Sequence, residues 1–303
     1  MKFNVFQISR MGGRANNEDR MGYCYTRESA LFLLADGMGG HAHGEIAAQL
    51  ALQTMASQFQ QHAQPTIKNP SDFLADSLLA VHHQILRYAG DKDLIDTPRT
   101  TLVAVLLQNG HAIWVHCGDS RLYVVRNGKL LIRTRDHSYM EQGDYLATKI
   151  AGVNRNVLFT CLGSPSRPIF DISQPMILQQ KDRILLCSDG LWGNMSDEEL
   201  VQELGNLSSP LSDQLPEMVE VALRRGGVNC DNTTAIAVSW DMPSAKNVPE
   251  VVTDSILDGV FASTIQSVFT SDSGNDMDDD EIERSIAEIN AAINRIPNTK
   301  KSD

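Results

Sequence analysis

Four aspartates in this 303-residue chain each stand at one end of a short apolar run, beside a glycine or an asparagine. Asp36 follows Leu31 to Ala35 and opens Asp36-Gly37-Met38-Gly39-Gly40. Asp119 follows His111 to Cys117 within Gly118-Asp119-Ser120-Arg121. Asp189 follows Arg183 to Ser188 and precedes Gly190, and Asp231 precedes Asn232 and the run Ala235 to Val238. Short branched or apolar runs bounded by Gly, Asp or Asn predict strands. A sheet holds its strand ends rigidly, so such ends are platforms for side chains that must converge. A further acidic pair, Glu18-Asp19, lies in an Asn- and Arg-containing loop ahead of Leu31. One Asp-Gly alone reads as a turn. Four at strand ends of one domain read as a site. Carboxylate oxygens with few His and no ordered Cys suit hard cations such as Mg²⁺ and Mn²⁺, not zinc. A glycine beside a carboxylate, as at Asp36, Asp119 and Asp189, lets the backbone approach closely enough for its carbonyl to coordinate as well.

The rest of the pattern alternates strands and helices to about Asp241. Phe3 to Ile8 and Leu102 to Leu107 are predicted strands. Leu122 to Val125, Asn127-Gly128 and Leu130 to Ile132 predict a hairpin, because Asn-Gly supplies the positive φ angles of a tight turn. Glu45 to Phe59 and Phe73 to Tyr88 carry apolar residues at helical spacing. Asp197 to Leu204 is a predicted helix with Ser196 as N-cap and Glu199 three residues on, the pattern of a capping box. Pro216 to Arg225 predicts another. Beyond Trp240 the composition shifts. A helix is expected over roughly Val251 to Phe269, followed by the acidic link Ser271 to Asp280. Ile282, Ile286, Ile289, Ile293 and Ile296 then form a two-heptad seam, either docked on its own domain or available to a dimer or partner helix.

Net charge is -12 and pI about 5.1, so nucleic acid and anionic lipid are not expected partners. Residues 1 to 10 lack the apolar core of a signal peptide, and no 18-residue apolar stretch predicts a membrane span. Five scattered cysteines without CxxC argue against disulfides and for a reducing, cytoplasmic setting. At 42% hydrophobic residues the chain can bury a core.

Read in order, Arg14-Ala15-Asn16-Asn17-Glu18-Asp19, Asp36-Gly37-Met38-Gly39-Gly40-His41, Gly118-Asp119-Ser120-Arg121, Asp136-His137-Ser138, Ser188-Asp189-Gly190-Leu191 and Asp231-Asn232-Thr233-Thr234 resemble the metal-dependent phosphatases of type 2C, in their bacterial form. The resemblance covers about residues 1 to 240. It implies an α+β fold, a four-layer αββα sandwich of two antiparallel β-sheets flanked by helices. Residues 1–241 would form the catalytic domain and 242–303 a C-terminal helical extension. It further implies a protein serine/threonine phosphatase using two, and in some members three, Mn²⁺ or Mg²⁺ ions to present water to a phosphoprotein. By resemblance Asp36 bridges two ions and the Gly37 carbonyl joins one. Asp189 and Asp231 complete the second ion, Glu18 and Asp19 orient waters, and Asp119 serves a third ion. Arg14 clamps phosphate, and His41 is the candidate general acid, with His43 and His137 behind it. A serine/threonine kinase is the implied counterpart.

Three departures from the family pattern stand out. Met38 occupies the position where eukaryotic members carry histidine. Arg99-Thr100-Thr101 replaces Gly-Thr-Thr, which either displaces a strand or adds a cation. The flap segment, Tyr139 to Arg155, is short. Cys117, Cys187 and Cys230 stand next to predicted ligands. They read as small buried hydrophobes, with oxidative inactivation as the alternative. A catalytically silent binding module would be expected to have lost metal-site carboxylates, and this chain keeps them. A different two-metal hydrolase, acting on a small phosphoester, is the other alternative.

Overall fold

A computed structural model describes residues 1–39, 43–139, 158–241 and 262–265. In chain order the strands are β1 (Lys2–Arg10), β2 (Arg20–Tyr25), β3 (Ser29–Ala35), β4 (Leu102–Gln108), β5 (His111–Cys117), β6 (Arg121–Arg126), β7 (Lys129–Arg133), β8 (Asp171–Ile172), β9 (Met176–Ile177), β10 (Arg183–Cys187), β11 (Thr233–Asp241) and β12 (Ala262–Ser263). The helices are α1 (Gly44–His62), α2 (Pro70–Asp91), the single turn α3 (Asp189–Trp192), α4 (Asp197–Gly205) and α5 (Leu211–Gly226).

Among the described residues the strands make two antiparallel sheets. One runs β1-β11-β10-β6-β7, and the other runs β12-β2-β3-β4-β5-β8 with β9 also on β5. The alternation of side chains along a strand explains how four layers arise. On β3, Leu31, Leu33 and Ala35 face α1 and α2, whereas Ala30, Phe32 and Leu34 face Ile184, Leu186, Ile236 and Val238 of the five-stranded sheet. Both faces are covered, so every β3 position is buried. That is why its sequence reads as an unbroken apolar run rather than an alternating one. The outer face of the five-stranded sheet packs Leu185, Ala235 and Ala237 under Leu215, Met218, Val219 and Ala222 of α5. This is the αββα sandwich of the sequence reading. Each large aliphatic group so buried stabilises by about 1.5–3 kcal/mol.

Local signals held where they were strong. Asn127 and Gly128 take φ of 51° and 71° in the β6–β7 turn. The Ser196 hydroxyl accepts the Glu199 N–H, and the Glu199 carboxylate accepts the Ser196 N–H, completing the capping box. Three expectations need correction. Helix α5 begins at Leu211, five residues before Pro216, because Leu211 and Leu215 extend its buried face and outweigh the lost proline N–H. Strand β2 was missed: only alternate residues are buried and Gly22 interrupts it. The helix expected over Val251 to Phe269 is not helical at Ala262–Ser263, which pair with Tyr25 and Cys24 of β2. The open edge of β2 supplies backbone partners and lets the adjoining Ile265 bury in the core, a tertiary gain that an isolated helix lacks. The remainder of that segment, the flap beyond Tyr139 and the isoleucine seam lie outside the described residues.

Candidate active site

The four strand-end aspartates meet at one end of the sandwich. Asp36 leaves β3 with its backbone fixed on both sides. Its N–H donates to Thr101 Oγ1 (3.1 Å), and its carbonyl accepts the Thr101 N–H (2.9 Å) and the Thr100 hydroxyl (2.8 Å). Thr100-Thr101 therefore keep their place despite Arg99, whose guanidinium pairs with Asp96 at 3.6 Å. Gly37 is wedged where a Cβ would collide with the backbone of Gly44 and Glu18, and Gly44 is wedged against the Glu18 carboxylate. These two glycines let the Glu18 loop, the end of β3 and the start of α1 close on each other.

Asp119 follows Gly118, which has φ of +105°. The Asp119 carbonyl accepts the Trp192 indole N–H at 3.0 Å. Beneath it Arg121 grips Asp136 with two bonds (2.8 and 2.7 Å) and lies 3.6 Å from the Trp192 ring centre, a bidentate and cation–π arrangement that fixes the turn. Asp189 opens α3, and Asp231 precedes β11. Asp231 binds the Arg14 guanidinium through one oxygen and the Asn232 N–H, at 2.8 Å, through the other. Asn232 ties the two ends of the domain together. Its Oδ1 accepts the Glu18 N–H (2.8 Å), and its Nδ2 donates to the carbonyls of Met11 (2.8 Å) and Asn16 (3.0 Å).

The charges crowd one another. Burial, reinforced by Asp19, Asp189, Asp119 and Asp231, pushes the Asp36 carboxyl well above the usual range. Burial first, then neighbouring carboxylates, raises Asp19 to about 7 and Asp119 to about 7. Burial and Asp231 raise Asp189 to about 6, and burial with Glu45 raises Glu18. Glu18 Oε2 and Asp19 Oδ1 are buried without a hydrogen-bond partner. Oxygen donors forced together in this way fit hard divalent cations, which would reverse the cost of ionising them.

Arg14, Glu18, Asp19, Asp36, Gly37, Asp119, Asp189 and Asp231 are thus gathered. His41 lies outside the described residues. The His43 ring is half-exposed at the start of α1, 3.8 Å from Glu45. His137 sits with His116 and Asp171, a trio whose ligand-type atoms lie within 4.8 Å of one another. Its hydrogen bonds argue against a metal there. Gly118 N–H donates to His137 Nδ1 at 3.2 Å, so the ring proton is on Nε2, 3.2 Å from Asp171 Oδ2. That nitrogen has no lone pair to give. The trio braces the Gly118 turn instead. Supporting residues were not foreseen: Ser188 donates to Asp19 Oδ2 at 2.8 Å and accepts the Thr234 N–H at 3.0 Å. Its only sequence signal was adjacency to Asp189. All five cysteines are buried and unbridged, and burial pushes the Cys117 thiol up to about 12 and raises Cys187 as well. That favours the packing reading of these thiols.

Comparison with known proteins agrees with this fold. A family model described as protein phosphatase 2C matches residues 9–224. A serine/threonine phosphatase of Listeria monocytogenes, Stp, is 29% identical over 246 residues, covering 78% of this chain and 95% of its own length. The structure of Staphylococcus aureus Stp1 superposes with a TM-score of 0.70 at 26% identity, covering 80% of this chain and 96% of that one. The catalytic domain of the phosphatase PstP, solved with two manganese ions, gives a TM-score of 0.64 at 30% identity, with coverage of 78% and 97%.

Proposed function

The chain belongs to the protein phosphatase 2C family, and on that premise we propose how its own residues perform the reaction. It is a metal-dependent protein serine/threonine phosphatase, a hydrolase of phosphoric monoesters in phosphoproteins. Asp36 and the Gly37 carbonyl are taken together with Asp189, Asp231, Glu18 and Asp19, whose carboxylates crowd Asp36 or one another. We assign these as the ligand and water-orienting set, with Asp119 and Asp189 available to a third ion. Mn²⁺ or Mg²⁺ held there would supply an acidified water and charge neutralisation for the phosphoryl oxygens. Arg14 sits on Asp231 and feels Asp189 and Glu18. A guanidinium fork in that position matches the oxygens of an incoming phosphate. His41, three positions before Gly44 in the sequence, is assigned as the proton donor to the serine or threonine leaving oxygen.

Residues 1–241 act as the catalytic domain, with 242–303 as an extension that either packs on its own domain or recruits a partner or a second copy. A serine/threonine kinase supplies the substrate. The reduced, buried cysteines suit a cytoplasmic setting. Among the described residues no helix is long and apolar enough to cross a membrane.

The observation that carries these roles is geometric: Asp36, at the end of β3, is crowded by Asp19, Asp189, Asp119 and Asp231, so that carboxylates from five separate chain segments share one place where bound cations would relieve them. The test is hydrolysis of an aryl phosphate after chelation and refilling with Mn²⁺, alongside Asp36→Asn and Asp231→Asn, with Mn²⁺ binding followed by calorimetry. Wild type should recover and both variants should lose binding and turnover together. Variants that bind and turn over normally would overturn the assignment.

A further inference from the structure

Gly118 links the end of β5 to Asp119 with φ of +105°, and both of its backbone groups go to one residue. Its N–H donates to His137 Nδ1 (3.2 Å), and its carbonyl accepts the His137 N–H (2.9 Å). One residue on, the Asp119 carbonyl accepts the Trp192 indole N–H (3.0 Å). The peptide planes on both sides of the Asp119 Cα are therefore held. With them is set the direction in which the Asp119 side chain leaves the backbone.

This clamp needs one form of the His137 ring. Nδ1 accepts only when it carries no proton, so the ring proton stays on Nε2, 3.2 Å from Asp171 Oδ2. Asp171 opens β8 opposite His116 of β5, which brings the three side chains together. The His116 ring stacks on that of His137, with centres 4.7 Å apart and planes 16° apart. Its Nε2 is taken by the Arg135 carbonyl at 2.9 Å, and its buried Nδ1 makes no hydrogen bond. His116 thus fixes the plane of the His137 ring without competing for either nitrogen. The His137 backbone is held apart from its ring, since its carbonyl accepts the Phe159 N–H at 3.0 Å.

We propose that His137 is the positioning residue for Asp119, acting as a neutral imidazole whose proton Asp171 keeps on Nε2. Its part is to aim a carboxylate, not to hold a cation. With both ring nitrogens engaged, it is also not the proton donor to the leaving oxygen. The consequence for catalysis rests on the reading of Asp119 as a carboxylate for a third ion, whereas the clamp on Gly118 does not.

The test compares two amides in the full-length chain. His137→Asn places its side-chain oxygen where Nδ1 stands and keeps an acceptor for the Gly118 N–H. His137→Gln carries its oxygen one bond further, toward Asp171, and loses that acceptor. In metal-free protein the Gly118 amide should exchange about tenfold faster in His137→Gln than in wild type or His137→Asn, the loss of one ordinary hydrogen bond. His137→Gln should also weaken the weakest Mn²⁺ step in calorimetry and lower kcat by about as much, with KM and the tighter Mn²⁺ steps unchanged. Asp119→Asn should do the same, and His137→Asn should stay near wild type. Asp171→Ala should speed Gly118 exchange in wild type but not in His137→Asn, which has no ring to orient. A ring that only fills space predicts that Gln, the larger amide, does at least as well as Asn. That ranking, or Gly118 exchange that neither His137→Gln nor Asp171→Ala alters, would overturn the proposal. If Asp119→Asn leaves Mn²⁺ binding and kcat unchanged, the ion role of Asp119 fails and the positioning role with it. Gly118 exchange that still follows the clamp would then mark that failure as one of the site reading.

Discussion

Asn232→Ala removes one buried amide that joins the two ends of the catalytic domain. Three hydrogen bonds disappear: from Glu18 N–H to Oδ1, and from Nδ2 to the carbonyls of Met11 and Asn16. Each such bond contributes about 1 kcal/mol net, and a partner left unpaired in a buried setting costs more. The three are part-buried, so water re-satisfies some of the backbone groups. The expected loss is about 2–3 kcal/mol, a large share of the ~5–15 kcal/mol that holds a domain folded. Falling on the loop from Met11 to Asp19, the same loss makes local opening about 30- to 150-fold more frequent, at tenfold per 1.4 kcal/mol.

Two measurements separate global from local loss. The urea midpoint should fall with an unchanged m-value, and the Glu18 amide should exchange faster than the amides of β3. The Mn²⁺ concentration for half-maximal hydrolysis should rise in parallel, because Glu18 and Asp19 ride on that loop. Asn232→Asp keeps the acceptor for Glu18 and loses both donations, so it should fall between wild type and alanine in Glu18 exchange. If Asn232→Ala stays within about 0.5 kcal/mol of wild type with the same Mn²⁺ requirement, the reasoning fails. The loop would then be held by Gly13 N–H on the Cys230 carbonyl and by the Arg14–Asp231 pair.

Other outcomes follow from the same geometry. Asp19, Asp119 and Asp189 have folded-state values raised to about 7, 7 and 6. In chelator they therefore bind more protons folded than unfolded, and their contribution to stability falls as pH rises from about 4 to about 7; saturating Mn²⁺ should flatten that slope in thermal melts. Gly118→Ala forces a side chain into φ of +105° and sets its Cβ 2.6 Å from Thr101 Cγ2. It should cost about 2–4 kcal/mol from backbone strain and overpacking, read by denaturation. Arg14→Ala should raise KM for an aryl phosphate about tenfold or more at saturating Mn²⁺. An unchanged KM would remove Arg14 from phosphate binding. A thiol reagent should leave all five cysteines unlabelled in native protein and label all five in guanidinium. Dilute peroxide should correspondingly spare activity.

What could be read from the chain, and what could not, divides along the range of the interactions involved. The β6–β7 turn, the capping box and the strand-end aspartates are written in neighbouring residues, and they appear as expected. β2 was hidden because its partners lie elsewhere: Met21 and Tyr23 pack between the sheets, and Gly22 is shaped by Ile265, over 240 residues away. α5 was started late because a proline signal is local while the burial of Leu211 is tertiary. Spacing also misled at Ile265. Its place in the helix expected over Val251 to Phe269 is outweighed by a sheet edge the periodicity does not encode. Among the site residues, carboxylates could be counted in advance, but the groups that aim them, Ser188, Asn232 and Thr101, are ordinary polar residues until their partners are known.

The arrangement also explains why the order of motifs along the chain matters less than one strand pairing. Glu18 and Arg14 come from the start of the domain and Asp231 from its end. They meet because β1 lies on β11 with Ser9 opposite Thr234 and Arg10 opposite Thr233. The Ser9 hydroxyl bonds that of Thr234 at 2.7 Å and accepts Asn17 Nδ2 at 2.8 Å, so the register is carried directly into the acidic loop. A slip of one residue would turn Ile8 out of the core and Ser9 away from Thr234, pulling Asn17, and with it Glu18 and Asp19, off the cluster. The site is therefore as cooperative as the ladder beneath it. Ser9→Ala, which removes the linking hydroxyl without touching any carboxylate, should weaken Mn²⁺ binding more than it lowers the urea midpoint. Equal effects on both would show that β1 merely stabilises the sheet and does not position the loop.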